Sequence, residues 1–225
     1  MVRTKLAERI LPKYTTGEEI FNMVSHIVGA VVGIVAIVLC SVIAAIHHNG
    51  YGVVSGVIFG VTLVILYTMS SIYHGLSPKK TKAKKVFQVI DHCSIFLLIA
   101  GSYTPFCLCT LREYSTALGW TVFGVVWGVA ILGIVLNSID LKKFKLFSMI
   151  CYLVMGWCII FRVNVLWDML GPIGFSLLLG GGICYTIGAV LYNVGKHKKW
   201  MHSVFHVMCV ISSIMHLLCV LLFVL

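Results

Sequence analysis

The chain has 225 residues, of which 60% are hydrophobic and 11% are charged, and its mean hydropathy is +1.04. Soluble domains usually have a charged fraction near ~25%, so this composition excludes one and predicts a polytopic membrane protein. The net charge of +10 comes from basic residues that lie between the apolar segments, where membrane topology requires them. It therefore does not indicate a nucleic-acid partner.

Seven apolar runs are long enough to cross a bilayer, which takes about 20 helical residues each. In chain order they cover residues 21–46, 52–76, 86–110, 116–136, 146–161, 171–192 and 202–225. The fifth run is the shortest and has the least defined ends. The predicted fold is an all-α integral membrane protein, with a seven-transmembrane helix bundle in residues 21–225.

Basic residues indicate how this bundle is oriented. Fifteen of the seventeen precede the first run or follow the second, fourth and sixth, and only Arg112 and Arg162 lie in the other connections. The positive-inside rule then predicts a cytoplasmic N-terminus and an outside C-terminus. Because nearly all other residues are needed to join the runs, no extramembrane domain is expected. This compact form suits a bacterial cytoplasmic (inner) membrane.

Residues 1–20 are predicted to form a cytoplasmic N-terminal segment. Leu6, Ile10 and Leu11 recur at helical spacing among basic residues, which favours a short helix at the membrane interface. A partly ordered tail fits the same sequence, and both alternatives stay open.

Small residues and one proline predict how the helices pack. Glycines recur every fourth residue in three runs, at Gly29/Gly33, Gly52/Gly56/Gly60 and Gly124/Gly128. This spacing allows close approach between helices, and we interpret it as packing within one chain rather than as a dimer motif. A homodimer is still an open alternative. Pro105, inside the third run, predicts a bend that opens a cavity.

Four ionisable residues lie near the cytoplasmic ends of the second, third and seventh runs: His74, Asp91, His202 and His206. Counting from the nearest lysines at ~1.5 Å per helical residue places all four within about 5 to 11 Å of the inner boundary. A membrane keeps such groups only where they have partners. Three imidazoles at one depth predict a zinc (Zn²⁺) site with a position left open for water.

Spacing suggests a role for each residue. His202 and His206 are one helical turn apart, so both imidazoles can bind one ion. Ser70 lies one turn before His74 and can orient a ligand or a water molecule. Asp91 either binds the metal directly or acts through water as a general base, and we favour the second role. The predicted metal ligands are His74, His202, His206 and Asp91, and the predicted catalytic residues are Asp91 and Ser70.

Three other histidines have simpler explanations. His26, near the inner face on the first run, is either a supporting hydrogen-bond partner or a packing residue. His92 adjoins Asp91 but points about 100° away on a helix, so we expect it to pack. His216 is ~25 Å deep by helical rise, too far to reach the same metal. We expect it to bond to a neighbouring helix.

Four stretches match a known family pattern: TTGEEIFNMVSHIVGA (15–30), SSIYHGLSP (70–78), DHCSIFLLIAGSYTPF (91–106) and HSVFH (202–206). On these motifs the chain resembles the hemolysin III family, the bacterial branch of the progestin and adiponectin receptor (PAQR) proteins in the CREST group. The resemblance implies Ser-x-x-x-His on the second helix, Asp on the third and His-x-x-x-His on the seventh, with zinc near the cytoplasmic face. Each of these positions is filled here.

Three functions follow from this reading. The first is zinc-dependent hydrolysis of a lipid amide or ester bond in membrane lipid homeostasis, because relatives resemble ceramidase-like amidases. The second is a membrane sensor or receptor in which zinc is structural. The third is a pore-forming cytolysin, suggested by the family name alone. Membrane lipids are the expected partners in each case.

Overall fold

The computed structural model describes residues 4–225, and all regular secondary structure in this range is helical. Residues 1–3, with the basic Arg3, lie outside the described residues. We label the long helices in chain order: α1 (Thr16–Ile46), α2 (Gly50–Gly75), α3 (Thr81–Pro105), α4 (Thr116–Asp140), α5 (Lys145–Trp157), α6 (Val163–Val194) and α7 (Met201–Phe223).

Six helical segments within residues 4–225 are long and apolar enough to cross a membrane. Five of them are α1, α2, α3 with its extension to Tyr114, α4 and α7. The sixth is the 50-residue stretch Lys145–Val194, which contains α5 and α6. This stretch folds back on itself, because the Lys145 ammonium lies 6.0 Å from the centre of the Tyr192 ring. The all-α fold and the membrane-protein class predicted from composition are confirmed.

The connection between α5 and α6 differs from the prediction. The sequence places a loop between residues 161 and 171, but a 3₁₀ helix at Cys158–Arg162 leads directly into α6 at Val163. The break falls instead at Gly171, whose φ of +64° is readily adopted only by glycine. Pro172 follows, at the first position of the resumed helix, where a proline needs no amide partner.

The first helix begins earlier than hydropathy predicts, at Thr16 rather than residue 21. The Thr15 hydroxyl accepts a hydrogen bond from the Glu18 amide at 3.3 Å, and the Glu18 carboxylate accepts one from the Thr15 amide at 2.9 Å. This reciprocal capping satisfies two amides that the helix itself leaves without partners. Polar residues therefore start α1 before its apolar run begins.

The N-terminal segment is anchored to the bundle. Its regular structure within residues 4–15 is a 3₁₀ turn at Leu6–Glu8, shorter than the predicted interfacial helix. The Thr4 amide donates to Asp140 at 2.7 Å, and the Lys85 ammonium donates to the Ala7 carbonyl at 2.6 Å. These bonds attach the segment to the ends of α4 and α3.

Pro105 ends α3, and the chain continues as a π-helical turn at Phe106–Leu111. Proline lacks an amide hydrogen and its ring clashes with the preceding turn, so regular α-helix is not maintained around it. Phe106 from this turn lines a central cavity. The predicted disturbance at Pro105 is thus a change of helix type.

Close packing of α1 on α2 depends on glycines. A Cβ atom on Gly56 would lie 2.5 Å from Cys40 Cβ, and one on Gly60 would lie 2.5 Å from Ile37 Cγ1. The prediction of packing within the chain is confirmed for this pair. It is wrong for Gly124 and Gly128, which have nothing within 4 Å in the described structure because that face of α4 points away from the bundle.

We predict that adding one methyl group, by a Gly→Ala substitution, changes the free energy of unfolding in opposite directions at two of these glycines. Gly56→Ala should lower the free energy of unfolding by about 1–3 kcal/mol, because overpacking a filled contact costs that much. Gly124→Ala should be neutral or stabilising, because alanine favours a helix over glycine by about 1 kcal/mol and meets no neighbour. Thermal unfolding of both variants in detergent tests this. Equal effects would mean that α1 and α2 do not touch at Gly56.

Candidate metal centre

The structure brings together three of the predicted residues. His74, from the end of α2, meets His202 and His206, from the start of α7, and one ligand atom from each lies within 4.8 Å of the others. The three side chains are buried, and the Nε2 atoms of His202 and His206 are 3.1 Å apart. A cluster of three facing imidazoles is the usual ligand set of a transition-metal site.

Unpartnered nitrogens support this interpretation. His74 Nε2 and His206 Nδ1 are buried and have no hydrogen-bond partner among the described residues. Burying a polar atom without a partner is costly, so such atoms need an explanation. A metal ion held by the three imidazoles would explain why His74 Nε2 has no hydrogen-bond partner. The residues present therefore fit a divalent transition metal.

Glu18 fixes the position of the His202–His206 pair. Besides capping α1, its carboxylate accepts a hydrogen bond from the Trp200 amide at 2.6 Å. Trp200 has a left-handed backbone, with φ of +66°, immediately before α7. The start of α1 thereby sets the start of α7, one residue before His202.

Aromatic rings surround the three histidines. Tyr14 from the N-terminal segment stacks on His202, with ring centres 4.8 Å apart and planes 18° apart. Burial raises the pKa of the Tyr14 phenol, so it is neutral at physiological pH. His26 stacks on His206 at 3.7 Å, and neither of its ring nitrogens has a hydrogen-bond partner in the described structure. Of the two predicted roles for His26, packing is the one the structure supports.

Asp91 and Ser70 line the same cavity as two of the three histidines. Both line a cavity of about 410 Å³ whose wall also includes His202 and His206. Asp91 does not belong to the group of ligand atoms within 4.8 Å, and its carboxylate lies 3.7 Å from His92 Nδ1. Asp91 therefore lies on the cavity wall rather than among the three imidazoles.

The 410 Å³ cavity extends from the histidines deep into the bundle. Its far wall includes Phe106, Val163 and Phe175, and its surface is mostly apolar. Cavities of this size accommodate small organic ligands. A hydrophobic chain can therefore lie in the bundle with its polar end beside Asp91 and the histidine cluster.

The remaining histidines behave as predicted. His92 bonds to the Gln88 carbonyl at 2.9 Å and to the Tyr192 hydroxyl at 3.2 Å. His216 donates from Nε2 to the Leu178 carbonyl on α6 at 3.2 Å. Both therefore have roles in helix packing.

Sequence reasoning missed two charged residues at this site. Glu19 accepts a 2.6 Å hydrogen bond from His74 Nδ1 and another from the Lys84 ammonium, also at 2.6 Å. The signal was present on α1, where Glu19, Asn22 and His26 follow at helical spacing in an otherwise apolar stretch. Lys84 is one of the basic residues that follow the second apolar run, and its sequence position alone indicates only topology.

Comparison with known proteins gives the family. Residues 14–217 match the family described as "Haemolysin-III related". The chain belongs to this family. It is 38% identical to "Hemolysin-3" of Bacillus cereus over 208 residues, which cover 92% of each chain. It is 39% identical to "Hemolysin-3 homolog" of Bacillus subtilis over 210 residues, 93% of this chain and 96% of the relative.

A more distant relative is human. The "Monocyte to macrophage differentiation factor" is 24% identical over 208 residues, 91% of this chain and 83% of the human protein. The hemolysin III resemblance drawn from the motifs is thus confirmed over nearly the whole chain.

Replacing a histidine of the cluster should abolish metal binding. We expect His206→Ala to weaken Co²⁺ or Zn²⁺ affinity by more than about 100-fold, since losing a residue that only orients a ligand already costs about 10–100-fold. His216→Ala is the matched control, a buried histidine on the same helix that should leave affinity unchanged. Chelator competition on purified protein measures both. Equal losses in the two variants would contradict the assignment.

Proposed function

We propose that this chain is a zinc-dependent hydrolase of lipid amide or ester bonds, an integral protein of the bacterial cytoplasmic membrane. The observation that carries the proposal is a group of three buried, converging imidazoles, two of which line a large apolar cavity together with the carboxylate of Asp91. A sensor or receptor with a structural metal does not require a carboxylate, Asp91, in the same cavity as the metal ligands.

The proposed topology has seven spans, with the N-terminus in the cytoplasm. Two observations support it: the stretch Lys145–Val194 doubles back, so it can cross twice, and the chain ends are at opposite ends of the bundle. Thr4 bonds to the end of α4, whereas the Leu225 carbonyl lies 2.9 Å from His47 Nδ1 at the end of α1. The lysine-rich end faces the cytoplasm by the positive-inside rule.

In the proposed reaction the metal and the protein side chains have different roles. A zinc ion, when bound, acts as a Lewis acid that lowers the pKa of water to about 7 and polarises a carbonyl. His74, His202 and His206 hold the ion. Asp91 accepts the proton of the attacking water, the water oxygen bonds to the carbonyl carbon, and the carbon–nitrogen or carbon–oxygen bond breaks. Asp91 then returns the proton to the leaving amine or alcohol, and Ser70 orients the water or the substrate.

The cavity supports lipids as substrates. The cavity is mostly apolar and is lined by Phe106, Val163 and Phe175. It therefore favours an apolar molecule over a water-soluble amide. An acyl chain buries apolar surface there at about 25 cal/mol per Å². The scissile carbonyl of such a lipid would lie at the histidine end of the cavity.

Asp91→Asn tests this mechanism. The variant should retain metal but lose hydrolysis by about 10²–10⁴-fold, the usual contribution of a general base. Turnover of a panel of ceramides, N-acyl amines and phospholipids is measured in detergent, with bound zinc determined on the same samples. Undiminished hydrolysis by Asp91→Asn would refute the role of Asp91, and zinc without turnover in the wild type would refute the hydrolase.

Membrane lysis is a second candidate, favoured by the names of the two Bacillus relatives. Dye release from liposomes, with the same purified samples, separates it from hydrolysis. A cytolysin releases dye whether or not Asp91 is replaced, whereas a hydrolase yields a free fatty acid that depends on Asp91.

A further inference from the structure

Glu19 connects the candidate metal centre to a lysine buried beside it. Its Oε2 atom is 2.6 Å from His74 Nδ1, and its Oε1 atom is 2.6 Å from the Lys84 ammonium. The Glu19 side chain is 15% exposed, and the side chains of His74 and Lys84 are 0% and 3% exposed. These bonds are therefore shielded from water. Hydrogen bonds to charged groups are strongest in such a shielded environment.

The carboxylate determines which nitrogen of His74 carries a proton. An ionised carboxylate has acceptors only, so a 2.6 Å contact requires the hydrogen on Nδ1. In a neutral imidazole the other nitrogen, Nε2, then has a free lone pair. His74 Nε2 is the buried atom without a hydrogen-bond partner in the described structure, on the ring that faces His202 and His206.

Lys84 bonds to the other oxygen of the Glu19 carboxylate. A buried Glu19 carboxylate needs a positive partner, and the Lys84 ammonium supplies it on the opposite oxygen while also donating to the Leu76 carbonyl at 3.0 Å. The carboxylate therefore does not need a protonated imidazole to balance its charge. A protonated His74 could not bind a metal, because both of its nitrogens would carry hydrogens.

We propose that Glu19 is a positioning residue for the metal: it fixes the Nδ1–H tautomer and ring orientation of His74 so that Nε2 is presented as a ligand, and Lys84 holds Glu19 in place. The proposal rests on the metal site of the proposed function but not on any reaction there. A carboxylate bonded to a metal-ligating histidine orients the ring and makes it a stronger ligand.

The neighbouring Glu18 is a carboxylate with a structural role, and its hydrogen-bond partners differ from those of Glu19. Glu18 bonds to backbone amides of Thr15 and Trp200, and so it stabilises the start of a helix. Glu19 instead uses its two oxygens for one side-chain nitrogen of a metal ligand and one ammonium. The helix could form without Glu19, but His74 could not be held in one tautomer.

Metal affinity of the full chain in detergent tests the proposal. Glu19→Gln and Glu19→Ala should each bind Zn²⁺ and Co²⁺ about 10–100-fold more weakly than the wild type in chelator competition. The increase in Tm on adding Zn²⁺ should shrink in both variants. The Tm of the metal-free protein should fall less in Glu19→Gln than in Glu19→Ala, because the glutamine amide oxygen can still accept a hydrogen bond from the buried Lys84 ammonium. Asp140→Asn is the matched control: it removes another buried, hydrogen-bonded carboxylate, and it should retain wild-type affinity.

Two results would overturn the proposal. One is wild-type affinity in folded Glu19→Gln and Glu19→Ala. The other is a fall in the metal-free Tm that accounts for the whole effect, since this would make Glu19 a structural residue. If Glu19→Ala does not fold, the nearly isosteric Glu19→Gln decides. Lipid turnover is measured separately, so a wild type that binds metal tightly but hydrolyses nothing refutes the hydrolase and leaves the role of Glu19 intact.

Discussion

A polar group inside an apolar helix bundle has no water to satisfy it, and this constraint governs the end of the bundle where α1, α2 and α7 meet. Each charged side chain there has a specific partner: Glu18 caps α1 and binds the Trp200 amide, and Glu19 bonds to His74 and Lys84. Several buried polar atoms of the described residues near the cluster lack a hydrogen-bond partner, among them Asn22 Oδ1, the Tyr73 hydroxyl and His74 Nε2. Of these, His74 Nε2 belongs to a ring that faces two other imidazoles, an arrangement that fits a metal ion.

Two cavities reach the histidine cluster from different sides. The 410 Å³ cavity reaches the cluster through Asp91, His202 and His206 and is mostly apolar. A smaller cavity of about 200 Å³ reaches it from the side of Glu19, His74 and Lys84. The two cavities therefore contact the histidine cluster through different residues.

Much of this could be predicted from the sequence, because the signals are local. Twenty apolar residues form a spanning helix wherever they are placed, so the spans from α1 to α4 and α7 followed from hydropathy. His202 and His206 share a helix face by spacing alone. Capping at Thr15 and the break at Gly171 shifted helix ends, because hydrogen bonds and backbone angles, rather than hydropathy, decide where a helix begins.

By itself the sequence determined the all-α membrane class, the family motifs and the positions of the histidines and Asp91 along their helices. Only the tertiary structure decided which of these groups meet. A position along one helix can be counted from the sequence, but contact depends on which faces of α1, α2, α3 and α7 turn toward each other. That is why Glu19 and Lys84, 65 positions apart in the chain, were recognised as partners only in the folded bundle.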